Sequence, residues 1–209
     1  MVKLMILSFL LALCCAAQAA PVDPGAKCFV KLWGCGVQLW FNMKFKVGLK
    51  SETGQEFAKE VFETMKDPEK AKAIFEASAS LKQCLGDDLD TCWTVPNLMS
   101  TFRIEAADAG AYVMSTRELI WMSDNLGVFE KHGQCMQKQD EAHAKEKEEC
   151  EKKTAEAFKE HPDKVCPNLV DMLKCYNAIY QPCGDETTKA MCQMVQYGIY
   201  AMVKCDLKC

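Results

Sequence analysis

The cysteines constrain this chain more than any other feature. Fourteen occur in 209 residues, and six of them, Cys166, Cys175, Cys183, Cys192, Cys205 and Cys209, crowd the last fifth of the chain among apolar residues. Leu169, Leu173, Tyr176 and Tyr180 recur at i, i+4, i+7 and i+11, which gives a helix one apolar face, and Pro167 suits its first turn. Pro182-Cys183-Gly184-Asp185 marks a turn in which Gly184 takes a left-handed cap conformation and Asp185 caps the next helix. That helix carries Met191, Met194, Val195, Ile199 and Met202. A turn centred between Cys183 and Gly184 sets Cys175 and Cys192 at matched heights on antiparallel helices, which predicts a Cys175–Cys192 bridge with Cys166–Cys205 further out. The alternative pairs Cys175 with Cys183 or with a cysteine of the first half.

At the other end, Lys3 precedes the apolar run Leu4–Leu13, and Ala17-Gln18-Ala19 supplies the small residues of a cleavage site. Residues 1–19 are therefore read as a signal peptide and residues 20–209 as a single cysteine-rich helical domain, secreted to the extracellular space. Cys14 and Cys15 leave with the signal. The remaining set, completed by Cys28, Cys35, Cys84, Cys92, Cys135 and Cys150, is even and reads as up to six disulfides. No C-x-x-C and no cysteine-histidine pair at zinc-finger spacing occurs, so neither a metal nor another cofactor is expected.

Residues 24–51 hold Lys27, Lys31, Lys44, Lys46 and Lys50 and no acid, with Phe29, Trp33, Trp40, Phe41 and Phe45 between them. Val37, Leu39, Phe41, Met43, Phe45, Val47 and Leu49 alternate with mostly polar residues, which fits a strand. Lys31, Gln38, Asn42, Lys46 and Lys50 gather on one side of a helical wheel, which fits a helix, and the helical character downstream favours that reading. Such a segment either rests on an anionic membrane surface or belongs to the core with its lysines reaching outward, and the core element is the expectation. Gly34-Cys35-Gly36 begins like a nucleotide-binding loop, but Leu39 stands where the third glycine belongs, so it reads as local flexibility beside a disulfide.

Thr53 and Glu56 form a capping box for a helix over 55–66, with Phe57, Val61, Phe62 and Met65 on its buried face. Asp67-Pro68 stops that helix and caps another, which runs through Ile74, Phe75 and Leu81 to Cys84 and ends near Gly86. Pro96 opens a helical region that Gly110 interrupts, and a further helix covers 117–130. Residues 135–161, rich in Glu and Lys, read as one long solvated helix laced by i,i+4 ion pairs. Cys84 and Cys92 repeat the C-x7-C of Cys175 and Cys183, each pair following a leucine-bearing helix, which raises an internal duplication. The fold class is thus all-α, a disulfide-stapled bundle of about six to eight helices.

Catalytic signatures are missing. His132, His143 and His161 lie in or beside the charged helix as solvated side chains. No G-x-S-x-G elbow, H-E-x-x-H or phosphate-binding loop occurs, and an even set of extracellular cysteines leaves no obligatory free thiol. The net charge of −4 gives no overall attraction for nucleic acid. A non-enzymatic extracellular interaction or structural protein is the first expectation, with an extracellular protein as partner. A carrier of small apolar ligands is the second, because Met99, Met114, Met122, Met172, Met191, Met194 and Met202 are flexible enough to line a cavity. The C-Y-N-A-I-Y-Q-P-C-G-D-E segment and the cysteine spacing over 166–205 resemble a nematode-expanded family of secreted cysteine-rich helical domains, the domain of unknown function nineteen. That resemblance implies a secreted helical module without an assigned reaction.

Overall fold

Period-four spacing shapes the first element. The computed structural model describes residues 25–161 and 163–209, so the proposed signal peptide lies outside the described residues. Residues 25–47 form one helical rod, α1, in which α-helical stretches (Gly25–Lys31 and Val37–Phe41) alternate with π-helical ones (Leu32–Gly36 and Asn42–Val47). Cys35, Leu39, Met43 and Val47 are all buried. In a regular α-helix, four residues overshoot a full turn by about 40°, so such a row drifts off the core. The wider π turns hold more residues and correct the drift. The other members of the alternation, Phe41 and Phe45, therefore point to solvent. The strand-like pattern is a helix with apolar residues on two opposite faces. Gly48, at φ 81°, ends it.

Helices α2 (Gly54–Thr64) and α3 (Pro68–Leu85) begin as their caps dictate. Thr53 and Glu56 close the reciprocal capping box, and Asp67 accepts from the backbone of Glu69 and Lys70 ahead of Pro68. Gly54 is required by contact: a Cβ there would fall 2.1 Å from the carbonyl oxygen of Asp108. A short turn, α4 (Leu89–Cys92), leads to α5 (Val95–Phe102). The break before the next helix falls at Arg103, whose φ is 56°, and not at Gly110. Gly110 lies inside α6 (Ala106–Asp124), which is buried on all sides from Ala109 to Ile120. A helix buried around its whole circumference sits at the centre even though Ser115, Thr116, Arg117 and Glu118 make one of its turns polar, and α6 packs against α2, α3, α5 and the last helix. Even Arg117 is buried there, donating to the Tyr197 carbonyl at 3.0 Å and pairing with Asp90 at 2.8 Å.

The predicted helix over 117–130 is broken at Asn125, and the long charged helix is two: α7 (Leu126–Ala142) and α8 (Ala144–Glu160) meet at His143, with φ −114° and ψ 32°. The buried face of α8 is Lys147, Cys150, Thr154 and Phe158. Lys147 pairs with Asp140 across the break and donates to the Tyr180 hydroxyl at 3.1 Å. Close charge contacts here include this pair and His143 with Glu146, spaced i,i+7 and i,i+3 rather than i,i+4. Helices α9 (Val165–Tyr180) and α10 (Asp185–Ile199) follow, joined by Gln181–Cys183 and by Gly184 at φ 96°. Asp185 is the first residue of α10 and not its cap. The turn is held instead by Thr187, whose hydroxyl donates to the Cys183 carbonyl at 3.1 Å. No strand occurs among the described residues.

All twelve predicted cysteines are paired: Cys28–Cys92, Cys35–Cys84, Cys135–Cys183, Cys150–Cys175, Cys166–Cys205 and Cys192–Cys209. The Cys166–Cys205 expectation holds and Cys175–Cys192 does not. Helix α9 turns Cys175 towards α8, where Cys150 waits at a Cα separation of 6.1 Å, and Cys192 receives the returning chain end. The repeated C-x7-C bonds in the same nested order twice. Its first cysteine takes the nearer upstream partner (Cys35 or Cys150), and its second takes the farther one (Cys28 or Cys135).

Candidate ligand-binding cavity

Beneath α1, where the rod crosses α5 and α6, lies an apolar cavity of about 250 Å³. Trp33, Val37 and Trp40 come from the rod, Phe57 from α2, Leu98 and Phe102 from α5, and Tyr112 from α6, with Trp93 in the loop before α5. The rod supplies its side because the π turn at Leu32–Gly36 brings Trp33 and Val37 round towards Phe102. Gly36 is part of this arrangement, since a Cβ there would come within 2.9 Å of Phe102 Cζ. The glycine pair read as local flexibility thus has one packing glycine, Gly36, and one with open space, Gly34.

The rings are fixed by each other. Trp33 stacks on Phe102 with centroids 6.0 Å apart, and Tyr112 is held between Trp40 and Phe57 at 5.8 and 5.1 Å. Trp33 also stacks outward on Phe29, and 55% of it is exposed, so the wall at that point faces solvent. Two residues of the lining each carry a buried polar atom without a hydrogen-bond partner among the described residues, Trp93 Nε1 and Tyr112 Oη, and both atoms lie behind the wall rather than open to the hollow. A buried polar atom left unpaired is costly and uncommon. Burial, and next to it the charges of Asp108 and Glu56, push the Tyr112 phenol well above its ordinary range. It therefore stays protonated as a hydrogen-bonding group. Glu52 is the single carboxylate in the lining.

The residues singled out in the sequence fall elsewhere. None of the seven candidate methionines lines this cavity; Met114, Met122, Met172, Met191 and Met194 are buried in the core, and Met99 and Met202 are half-buried. Methionine fills gaps between packed helices here, and the hollow space is walled by rings. His132 lies 3.0 Å from a Glu186 carboxylate oxygen, His143 precedes α8 with its ring 3.5 Å from Glu146 and makes no side-chain capping bond, and His161 follows the end of α8. Among the described residues no three His, Cys, Asp or Glu side chains gather as a metal site would. The signal for the cavity was available in the sequence as three of the four tryptophans, Trp33, Trp40 and Trp93, but nothing local brings them together.

Comparison with protein-family models, with curated proteins and with solved structures finds no match. The resemblance over 166–205 accordingly rests on those residues alone.

Proposed function

We propose that this protein is a secreted, non-enzymatic carrier of small apolar ligands that bear one hydrogen-bonding group. The observation that carries the proposal is the ring-walled cavity, two of whose lining residues, Trp93 and Tyr112, hold unpaired polar atoms just behind its wall, where a small turn of the ring would offer them to a ligand. Ligand sites are mostly apolar with a few convergent polar groups, and this one has that composition. Its volume is below the roughly 300–1,000 Å³ of drug-sized sites, so the ligand is fragment-sized, an aromatic or branched alcohol, phenol or ketone. Apolar cavities on the order of 150 Å³ already stay dry and take up benzene. Secretion is supported by the disulfides, which persist in oxidising compartments. Binding rather than catalysis is supported by the lining, where the one buried ionisable group, Tyr112, is held in its neutral form.

The test is a calorimetric titration of the oxidised protein with 2-naphthol and with 2-methylnaphthalene. Saturable binding of both, stronger for the naphthol, is expected. Val37→Trp fills the cavity from its half-buried side and weakens both ligands about tenfold or more with the far-UV spectrum unchanged. Trp93→Phe removes the preference for the hydroxyl. A flat titration of the wild type, or Val37→Trp binding as well as wild type, overturns the carrier and leaves the extracellular interaction protein.

A further inference from the structure

The outward face of α1 carries Phe29, Val30, Trp33, Phe41 and Phe45, all exposed, with Phe45 at 78% and Val30 at 69%. Elsewhere among the described residues the exposed large hydrophobics are Leu126 and Tyr200. The spacing Phe29, Trp33, Phe41, Phe45 is a multiple of four throughout, with Val37 in the intervening place, and the π turns hold such a row on one side as they hold the core row on the other. The rings pair along it: Phe29 stacks on Trp33, and Phe41 on Phe45 with centroids 5.4 Å apart.

The charge that this segment itself contributes has one sign, although Asp88 pairs with its first two lysines and the Glu60 carboxylate accepts from the Lys50 backbone N–H at 2.9 Å. No acid occurs from residue 24 to 51 in a chain whose net charge is −4. Lys27 and Lys31 are both engaged by Asp88. Lys44 lies over the Trp40 ring at 4.6 Å, and Lys44, Lys46 and Lys50 are ion-paired to no described residue.

We propose that this strip docks the protein on an anionic phospholipid bilayer, with the rod lying along the interface, its rings in the acyl boundary and its lysines at the headgroups. Interfacial helices combine apolar and aromatic residues with lysines in this way, and anionic leaflets attract such lysines. A second copy fits less well, because a self-complementary contact would bring two sets of lysines together. A row of exposed, paired rings also suits a fluid surface better than a rigid one. The inference does not depend on the carrier reading, although Trp33 belongs to both the strip and the cavity wall, so docking would set that wall against lipid.

The experiment is co-sedimentation of the oxidised protein with vesicles of phosphatidylcholine alone or with about 30 mol % phosphatidylserine. Binding to the serine-containing vesicles, weakened by added salt, is expected. Phe41→Ser/Phe45→Ser should lower it about tenfold or more, and Lys46→Glu/Lys50→Glu should abolish the preference for the anionic vesicle. These side chains are at the surface, and unchanged 2-naphthol binding in both variants reports an intact fold. Equal sedimentation of wild type and Phe41→Ser/Phe45→Ser overturns the proposal. So does absence of binding to either vesicle, and so does a wild-type dimer in sedimentation equilibrium that those two substitutions dissolve. If 2-naphthol binds no variant but the vesicle results hold, the carrier fails and the docking surface stands.

Discussion

The two nested disulfide pairs solve one problem over different distances. In the first half, Cys28 and Cys35 sit seven residues apart on one rod and meet Cys92 and Cys84 at Cα separations of 5.1 and 5.7 Å. In the second half the same order joins Cys135 and Cys150 to Cys183 and Cys175, at 5.7 and 6.1 Å. At helical rise, Cys135 and Cys150 would stand about 22 Å apart on a straight helix, against about 12 Å for the eight residues they must meet. The break at His143 absorbs that mismatch. Seven residues of rod, about 10 Å, need no break, and α1 runs on with only its turns widened. The halves also differ in what the fastening leaves outside: rings in α1, lysines and glutamates in α8. A helix fastened by covalent bonds does not need its outer face for stability, so that face is free to differ.

Removing both rungs of either pair should have the largest effect, a loss on the order of 6–7 kcal/mol by the loop-entropy relation. With Cys28, Cys35, Cys84 and Cys92 all changed to Ser, the rod should lose its hydrogen-exchange protection over 25–47 and 2-naphthol binding should vanish. A rod that stays protected would show that packing alone holds it. Removing only an outer rung is a sharper comparison. Cys28→Ser/Cys92→Ser and Cys135→Ser/Cys183→Ser should each cost about 3 kcal/mol in urea denaturation, because the inner rung already closes all but ~15 and ~23 residues. A difference of more than about 1.5 kcal/mol would mean that the break at His143 carries strain of its own.

A smaller effect separates the halves by charge. Lys147→Ala should cost about 2 kcal/mol, since it removes the ammonium from Asp140 and the Tyr180 hydroxyl, and Lys147→Met, which restores the stem but not the charge, should regain only the smaller part that comes from packing. Equal losses in both would place the role of Lys147 in its charge alone. The smallest effect is expected at Asp88 in the first half. Hydrogen bonds from Lys27 and Lys31 hold its carboxyl below the ordinary 3.8. Its contribution is therefore complete above that value and fades as pH falls through the lower folded one. Asp88→Asn should lower the urea midpoint slightly at pH 7 and not at all in strong acid. A constant deficit at every pH would show that the ion pairs are not its cause.

Much of this architecture could be read from the chain because it was written locally. The capping box at Thr53, the Asp67-Pro68 junction and the turn ahead of Gly184 depend on neighbours within a few residues. The break at His143 and the intact helix through Gly110 did not show, because both are set by contacts from afar: a bridge pattern in one case, burial on all sides in the other. The pairing of Cys175 was misjudged for the same reason. Matched heights on α9 and α10 say nothing of rotation about the helix axis, and α9 turns that cysteine to α8. Trp33, Trp40, Trp93 and Tyr112 were visible as residues and invisible as a cavity, since they come from elements distant in the chain that the packing on α6 and the Cys28–Cys92 bridge bring together.

The two rows on α1 have a further implication for how such a rod can change over evolutionary time. A substitution on the outer row alters only what the protein touches. Loss or gain of a single residue would turn everything beyond it by about 100°, carrying Phe41 and Phe45 towards the core and Met43 and Val47 away from it. Any relative that preserves both faces should therefore differ in the length of this segment by whole steps of four residues.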